Sequence, residues 1–360
     1  MQEKNAMEEC FATELQRKID SAAKQVVSSH PKWPLVADTV RIPSGVYKVR
    51  RPIRLRSGVA VRGEHQASVV FLSELENEDP VFYSEPEDEL YATSVSGIHA
   101  RSEKHQQGVF LRVFSANRNC SFGDLFIENF GHSIVSEECY TSKFHDIGVY
   151  RCGEGPQFYN LTNGRLYNIK TENCAGNGLY LGPSKNRTDS VSGTDVTGYV
   201  AQGNGRCGVL IDRVDQVRFA SLFLEGNNRQ MMRADGDNGD YAQLRLIGDR
   251  NVLNKRNSNV FFDNIFVTPG RSDLTAHAAI QVLSAEVVIF RGGVIRNNQN
   301  VFSRAFEVSD EVLNFVAEDL VFDRWKEDKI FNVKASTSRI ESNFYSGQSE
   351  PPILYQAVGH

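Results

Sequence analysis

The chain has 360 residues, 40% of them hydrophobic, which is ample for an extensive core. Its formal charge of −5 arises from interleaved acids and bases, which argues against nucleic acid or a bilayer surface as the main partner. No apolar run approaches the roughly 18 residues of a membrane span, and the opening MQEKNAMEEC lacks a secretory apolar core, which predicts export by another route or a trimmed chain.

Residues 11–29 place Leu15, Ile19, Ala22, Ala23 and Val26 on one helical face. An amphipathic helix ahead of repeated strands is expected to cover the first coil, which would otherwise expose apolar interior and open strand edges. After Pro31 and Pro34 come TVRIPSGVYKV and PIRLRSGVAVRGE, alternating strands with Gly45 and Gly58 at turns. Residues 72–93 form a long acidic loop with Tyr83 and Tyr91.

From Cys120 one phrase is said three times: CSFGDLFIEN, SKFHDIGVYR and GRLYNIKTEN. Asp124, Asp146 and Asn168 mark matched places 22 residues apart, and alternation on both sides of each marker predicts a strand, a one-residue corner and a second strand. With variable insertions the marker column reads Gly97, Asp124, Asp146, Asn168, Asp195, Ser221, Asn264, Gly292, Asp319. Two residues earlier stand Val95, Phe122, Phe144, Leu166, Phe219, Phe262 and Phe290, and one residue later Ile98, Leu125, Ile147, Ile169, Val196, Leu222, Ile265 and Leu320. Gly193 and Gly293 interrupt these columns. Periods in the twenties belong to solenoids, whose coils stack identical columns at about 4.8 Å, so the aromatic column is expected inside. The corner residues are expected in left-handed or bridging conformations and shielded from solvent.

The helix LQRKIDSAA followed by VRIPSGVYKV and PIRLRSGVAVRGE closely resembles the opening segment of the pectate lyase-like superfamily, particularly its phage tailspike and polysaccharide depolymerase branches. The wording matches over residues 14–64, and the repeat columns extend the architectural match to about residue 345. The resemblance implies an all-β fold, a single-stranded right-handed parallel β-helix with three sheets per coil and an N-terminal capping α-helix. On that basis residues 1–35 form the capping segment, 36–346 the β-helix and 347–360 a tail. The resemblance is specific for fold and not for function, because lyases, hydrolases, epimerases and non-catalytic adhesion proteins share it. The paired NTD and GHG motifs of polygalacturonases and the WxDH run of pectate lyases do not occur, so no active-site residue carries over by motif. It implies an extracellular or virion-associated place. Tailspikes of this kind are commonly trimers, but the sequence shows neither a head-binding domain before residue 11 nor a trimerisation module after 345; monomer and homotrimer both fit.

Further insertions fall at 183–192 (PSKNRTDSVS), 226–240 (GNNRQMMRADGDNGD) and 248–258 (GDRNVLNKRNS), where loops would shape a binding face. DGDNGD at 235–240 invites a calcium reading but departs from EF-hand spacing, so polar turn chemistry and no cofactor are expected. Cys152 and Cys174 sit at equivalent places and are expected as reduced, buried thiols, with a disulfide as the alternative; no metal spacing joins the cysteines.

Chemistry must come from the outward columns. Four residues past the marker stand Glu128, Tyr150, Glu172, Tyr199 and Glu225. The strand that opens each coil offers Val135, Tyr159, Tyr180, Leu210 and Arg245, with Glu137 and Asp212 two residues on. Tyrosine faces suit sugar rings, which makes Tyr150, Tyr199, Tyr159 and Tyr180, with Arg245, the candidate substrate-binding residues. Acids two coils apart lie roughly 9.6 Å apart at the backbone, within rotamer reach of the roughly 6.5–9.5 Å of an inverting glycosidase. Glu172, expected between two tyrosines that would raise its pKa, is the first choice as acid, with Glu225 or Glu128 as base and Asp212 as rival. The competing reading is a solvated row of surface acids. The expected function is a polysaccharide-degrading enzyme, a glycoside hydrolase or polysaccharide lyase working on an extended glycan along the helix surface. The alternative is a non-catalytic glycan-binding adhesion protein.

Overall fold

A computed structural model describes residues 10–30, 33–36, 38–184, 190–228, 242–248, 256–270, 276–298 and 301–346. The chain divides into two compact units, residues 1–169 and 170–360. The calcium reading at 235–240, the tail 347–360 and most of the three long insertions lie outside the described residues.

The first unit opens with the helix Cys10–Gln25, which buries Ala12, Leu15, Ile19 and Ala22 against the strands Asp38–Ile42, Gly45–Val49, Ile53–Arg54 and Val59–Gly63. The helix stops four residues short of the expected end. Val27–His30 instead pairs antiparallel with Trp33–Val36, in keeping with the β-branched Val26 and Val27. Thereafter the strands alternate between two parallel ladders. One contains Val59–Gly63, Ser94–Ser102, Ser121–Glu128 and Lys143–Tyr150; the other contains Ile53–Arg54, Pro80–Tyr83, Val109–Phe114, His132–Glu137 and Gln157–Tyr159.

The first ladder bends at one residue per coil, and φ is 50° at Asp124, 52° at Asp146 and 53° at Asn168. Each long strand therefore serves two faces, and with the second ladder every coil has three. The marker side chains are exposed rather than shielded. A left-handed corner turns its Cβ away from the axis, so the conformational demand falls on the backbone while the side chain faces solvent. Inside, Phe122 stacks on Phe144 with centroids 5.1 Å apart, and both are fully buried.

The second unit repeats the plan with Asp195–Gln202, Asp215–Glu225, Ser258–Thr268, Ala285–Arg296 and Val312–Asp323 in one ladder. Leu179–Gly182, Val209–Asp212, Leu244–Ile247, Ala276–Val282, Phe302–Val308 and Phe331–Val333 form the other. Ser221, Asn264, Gly292 and Asp319 hold positive φ as expected, and Ser342 extends the column by one coil. Asp195 does not. The corner of its strand is Gly198, at φ 65°, because Val196 pairs with Phe219 across the ladder. This removes the exception at Gly193, since the residue two before the corner is now the buried Val196. It also turns Tyr199 inward. Phe219, Phe262 and Phe290 stack at 5.0 and 4.6 Å in the aromatic core of this unit.

At another turn of this unit Asn204 donates to Asn227 Oδ1 at 2.7 Å, and Asn227 donates to Gln243 Oε1 at 2.7 Å. All three are buried, so this amide ladder satisfies turn groups that solvent does not reach. Cys120, Cys139, Cys152, Cys174 and Cys207 are reduced, buried thiols, which excludes a disulfide between Cys152 and Cys174.

Candidate functional site

Beyond the corner at Asp124, Leu125 and Ile127 point inward, which leaves Phe126 and Glu128 outside. Register then places Arg101, Glu128 and Tyr150 side by side on three successive strands of the first unit. His99 sits diagonally to this row, with Nε2 3.5 Å from Glu128 Oε2. Its ring meets Phe126 edge to face at 5.0 Å, and its buried Nε2 makes no hydrogen bond among the described residues. Room for Phe126 comes from Gly148, where an added Cβ would stand 2.7 Å from the ring. The Arg151 guanidinium lies 4.8 Å from the centre of the Tyr150 ring.

A carboxylate is thus flanked by an arginine, an imidazole and a phenol. Such a set can accept or donate a proton beside a bound anion, and the tyrosine and arginine present surfaces suited to a sugar ring and its acid substituents. Glu128 and Tyr150 stand where the outward column predicts them. His99 and Arg101 were not picked out from sequence, although they occupy the same positions, two and four past Gly97, one coil earlier.

On the second ladder of this unit the structure shifts the expected row. Val135 pairs with Gln157, while Glu137 pairs with Tyr159. Burial pushes the Tyr159 hydroxyl up to about 12, reinforced by the negative charges of Glu137 and Glu154 and opposed by Arg112. Arg112 is held by Glu78 at 3.1 Å, and His132 Nδ1 contacts Gln157 Oε1 at 3.0 Å. Tyr159 therefore keeps its proton.

The second unit holds the remaining candidates and disperses them. The Glu172 carboxylate contacts Lys170 Nζ at 2.9 Å, so a cation rather than a tyrosine face governs it. Tyr199 is 1% exposed and donates to Gly178 O at 2.9 Å, which overturns its assignment as a substrate-binding residue. The position four past the corner belongs to Gln202, which donates to Glu225 at 3.1 Å. Asp212 accepts two hydrogen bonds from Arg213, both at 3.2 Å. Tyr180, Leu210 and Arg245 share one row as expected.

No family model matches the chain, and no curated protein does. Solved structures do. The Geobacillus virus E2 protein ORF18 aligns with 95% of the chain and 59% of its own, with TM-score 0.61 at 13% identity. The tailspike gp49 of Acinetobacter baumannii bacteriophage Fri1, a capsular polysaccharide depolymerase, aligns with 95% of the chain and 61% of its own, TM-score 0.54, identity 12%. The catalytic domain of a GH87 alpha-1,3-glucanase, solved with tetrasaccharides, aligns with 91% of the chain and 68% of its own, TM-score 0.53, identity 9%. The chain spans about three fifths of the length of the two phage proteins. At these identities the likeness is one of fold, and the fold is the right-handed parallel β-helix.

Proposed function

We propose that the protein is a polysaccharide-degrading enzyme that binds an extended glycan along the outer wall of its first unit, at the row Arg101–Glu128–Tyr150 with His99. The observation that carries this reading is the His99–Glu128 contact of 3.5 Å beside an arginine and a tyrosine on adjacent strands. A carboxylate and an imidazole in one place are suited to proton transfer at a glycosidic oxygen or at the carbon next to a uronate, while Arg101 offers the positive charge that a uronate requires. The depolymerase and the glucanase among the similar structures support a glycan as the partner. The phage tailspike among the similar structures supports an extracellular or virion-associated place.

The test is a panel of bacterial capsule, plant and algal polysaccharides, read by reducing ends and by absorbance from new double bonds. Reducing ends alone indicate hydrolysis, and both signals indicate β-elimination. Binding without either product would replace this proposal with that of a non-catalytic glycan-binding protein.

A further inference from the structure

On the adjoining face, before the corner, three side chains form a chain of hydrogen bonds. Ser121 Oγ lies 2.9 Å from His145 Nε2, and His145 Nδ1 lies 2.8 Å from Asp146 Oδ2. The hydrogen bond from His145 holds the Asp146 carboxyl below its usual range, assisted by Asn168. A carboxylate only accepts, so Nδ1 carries the proton, and in the neutral ring Nε2 accepts from the serine hydroxyl. This is the tautomer and the order of contacts that activate a serine.

Neighbouring residues hold the arrangement in place. His145 pairs laterally with Gly123, and a Cβ at Gly123 would stand 2.3 Å from the imidazole Cε1. Glycine at that position lets the ring lean across the coil to reach Ser121. From the next coil Tyr167 stacks on the imidazole at 4.9 Å with planes 6° apart, and Asn168 Nδ2 donates to Asp146 Oδ1 at 2.6 Å. The left-handed corner at Asp146, φ 52°, lets its carboxylate reach the preceding histidine. Ser121 is partly exposed, and Lys143 stands beside it in register with its side chain in solvent.

We infer that Ser121, His145 and Asp146 form a serine-nucleophile site that cleaves carboxylic esters of small acyl groups, such as O-acyl substituents on a sugar hydroxyl. Ser121 Oγ bonds to the ester carbonyl carbon as its proton passes to Nε2. The tetrahedral adduct collapses, the ester C–O bond breaks, and the departing alcohol oxygen takes the proton from Nε2. Water then attacks the acyl-serine by the same route, releasing the carboxylic acid and restoring the hydroxyl. The peptide N–H of Ser121 is bound to Thr93 O and that of Lys143 to Cys120 O, so stabilisation of the oxyanion would have to come from a side chain, and the exposed Lys143, in register with Ser121, is the cation this proposal assigns to it. Asp146, Asn168 and Tyr167 are positioning residues. The choice of a sugar ester rests on the proposed glycan partner; the serine chemistry does not.

The test treats the full chain with a fluorophosphonate probe, maps the adduct by peptide mass, and follows hydrolysis of p-nitrophenyl acetate. The expected adduct is on Ser121. Ser121→Ala is expected to lose the adduct and at least a hundredfold of the hydrolysis with unchanged melting. Asp146→Asn is expected to lower kcat with little change in KM, and Asp146→Glu to recover part of it. Labelling and p-nitrophenyl acetate hydrolysis need no polysaccharide, so their outcome is independent of whether the chain cleaves a glycan. An adduct elsewhere, no adduct on wild type, or wild-type hydrolysis by Ser121→Ala would overturn the inference.

Discussion

The side-chain amide of Gln16 makes with Arg54 the two hydrogen bonds that a neighbouring strand would make. Its Nε2 donates to the Arg54 carbonyl at 3.2 Å, and its Oε1 accepts from the Arg54 N–H at 2.7 Å. Ile53–Arg54 is the first strand of the second ladder, so the helix closes an edge that would otherwise recruit another chain. Asp20 adds a contact to Arg56 at 2.8 Å.

Gln16→Ala is expected to cost about 1–3 kcal/mol, the usual penalty for stranding partly buried partners. Gln16→Glu, which still accepts but no longer donates, is expected to fall between. Denaturant midpoints of the two variants and the parent measure this. A loss under about 0.5 kcal/mol in Gln16→Ala, near the scatter of ordinary surface substitutions, would show that the edge is closed by other means.

Phe144 touches Phe122 at 5.1 Å and Phe158 at 4.8 Å inside the coil. Phe144→Ala is expected to lose about 3–5 kcal/mol, because the stacked rings on neighbouring strands prevent the cavity from collapsing. Reversible denaturation is the measurement, and a loss below about 1 kcal/mol would contradict close stacking.

Glu128→Gln is expected to cut turnover on the responsive polysaccharide at least a hundredfold while leaving binding within about threefold, since proton transfer contributes about 10²–10⁴. Glu172→Gln, whose carboxylate is engaged by Lys170, is expected to stay near wild type. Equal losses in both variants, or loss only in Glu172→Gln, would move the site to the second unit.

Burial pushes the thiols of Cys120, Cys139 and Cys207 up to about 12, 11 and 11 from an ordinary value of 9.0. Above about pH 9 the unfolded chain releases these protons while the folded chain retains them, so stability falls as pH rises, and below pH 9 the effect vanishes. The slope is about 1.4 kcal/mol per pH unit for each thiol that differs between the states. Unfolding midpoints between pH 8 and 10.5, compared with a variant carrying alanine at all three sites, measure it. Native protein at pH 8 is expected to resist iodoacetamide at these cysteines, and rapid labelling there would contradict their burial.

Much of the architecture was legible because a coil repeats its constraints. Asp124, Asp146 and Asn168 recur every 22 residues with apolar partners at the same offsets, and only stacking satisfies all three copies together. The capping helix showed in the spacing of Leu15, Ile19 and Ala22. The corner between Thr194 and Tyr199 was not legible. Both Asp195 and Gly198 tolerate positive φ, and the choice is made by the pairing of Val196 with Phe219 on the next coil. That single choice carried Tyr199 from the expected outer wall into the core.

The outer wall follows the same division. Alternation along a strand determined that Glu128, Tyr150 and Glu172 face outward, because successive side chains leave opposite faces of a sheet. What each then meets depends on diagonal neighbours in other coils and on rotamers. His99 reaches Glu128 from the preceding coil and His145 leans over Gly123 to Ser121. Glu172 instead takes Lys170, two residues away along its own strand and on the same face. Sequence determined which residues are available on each face; tertiary structure decided their partners, because hydrogen bonds and ion pairs depend on distances of a few ångströms set by the register between coils.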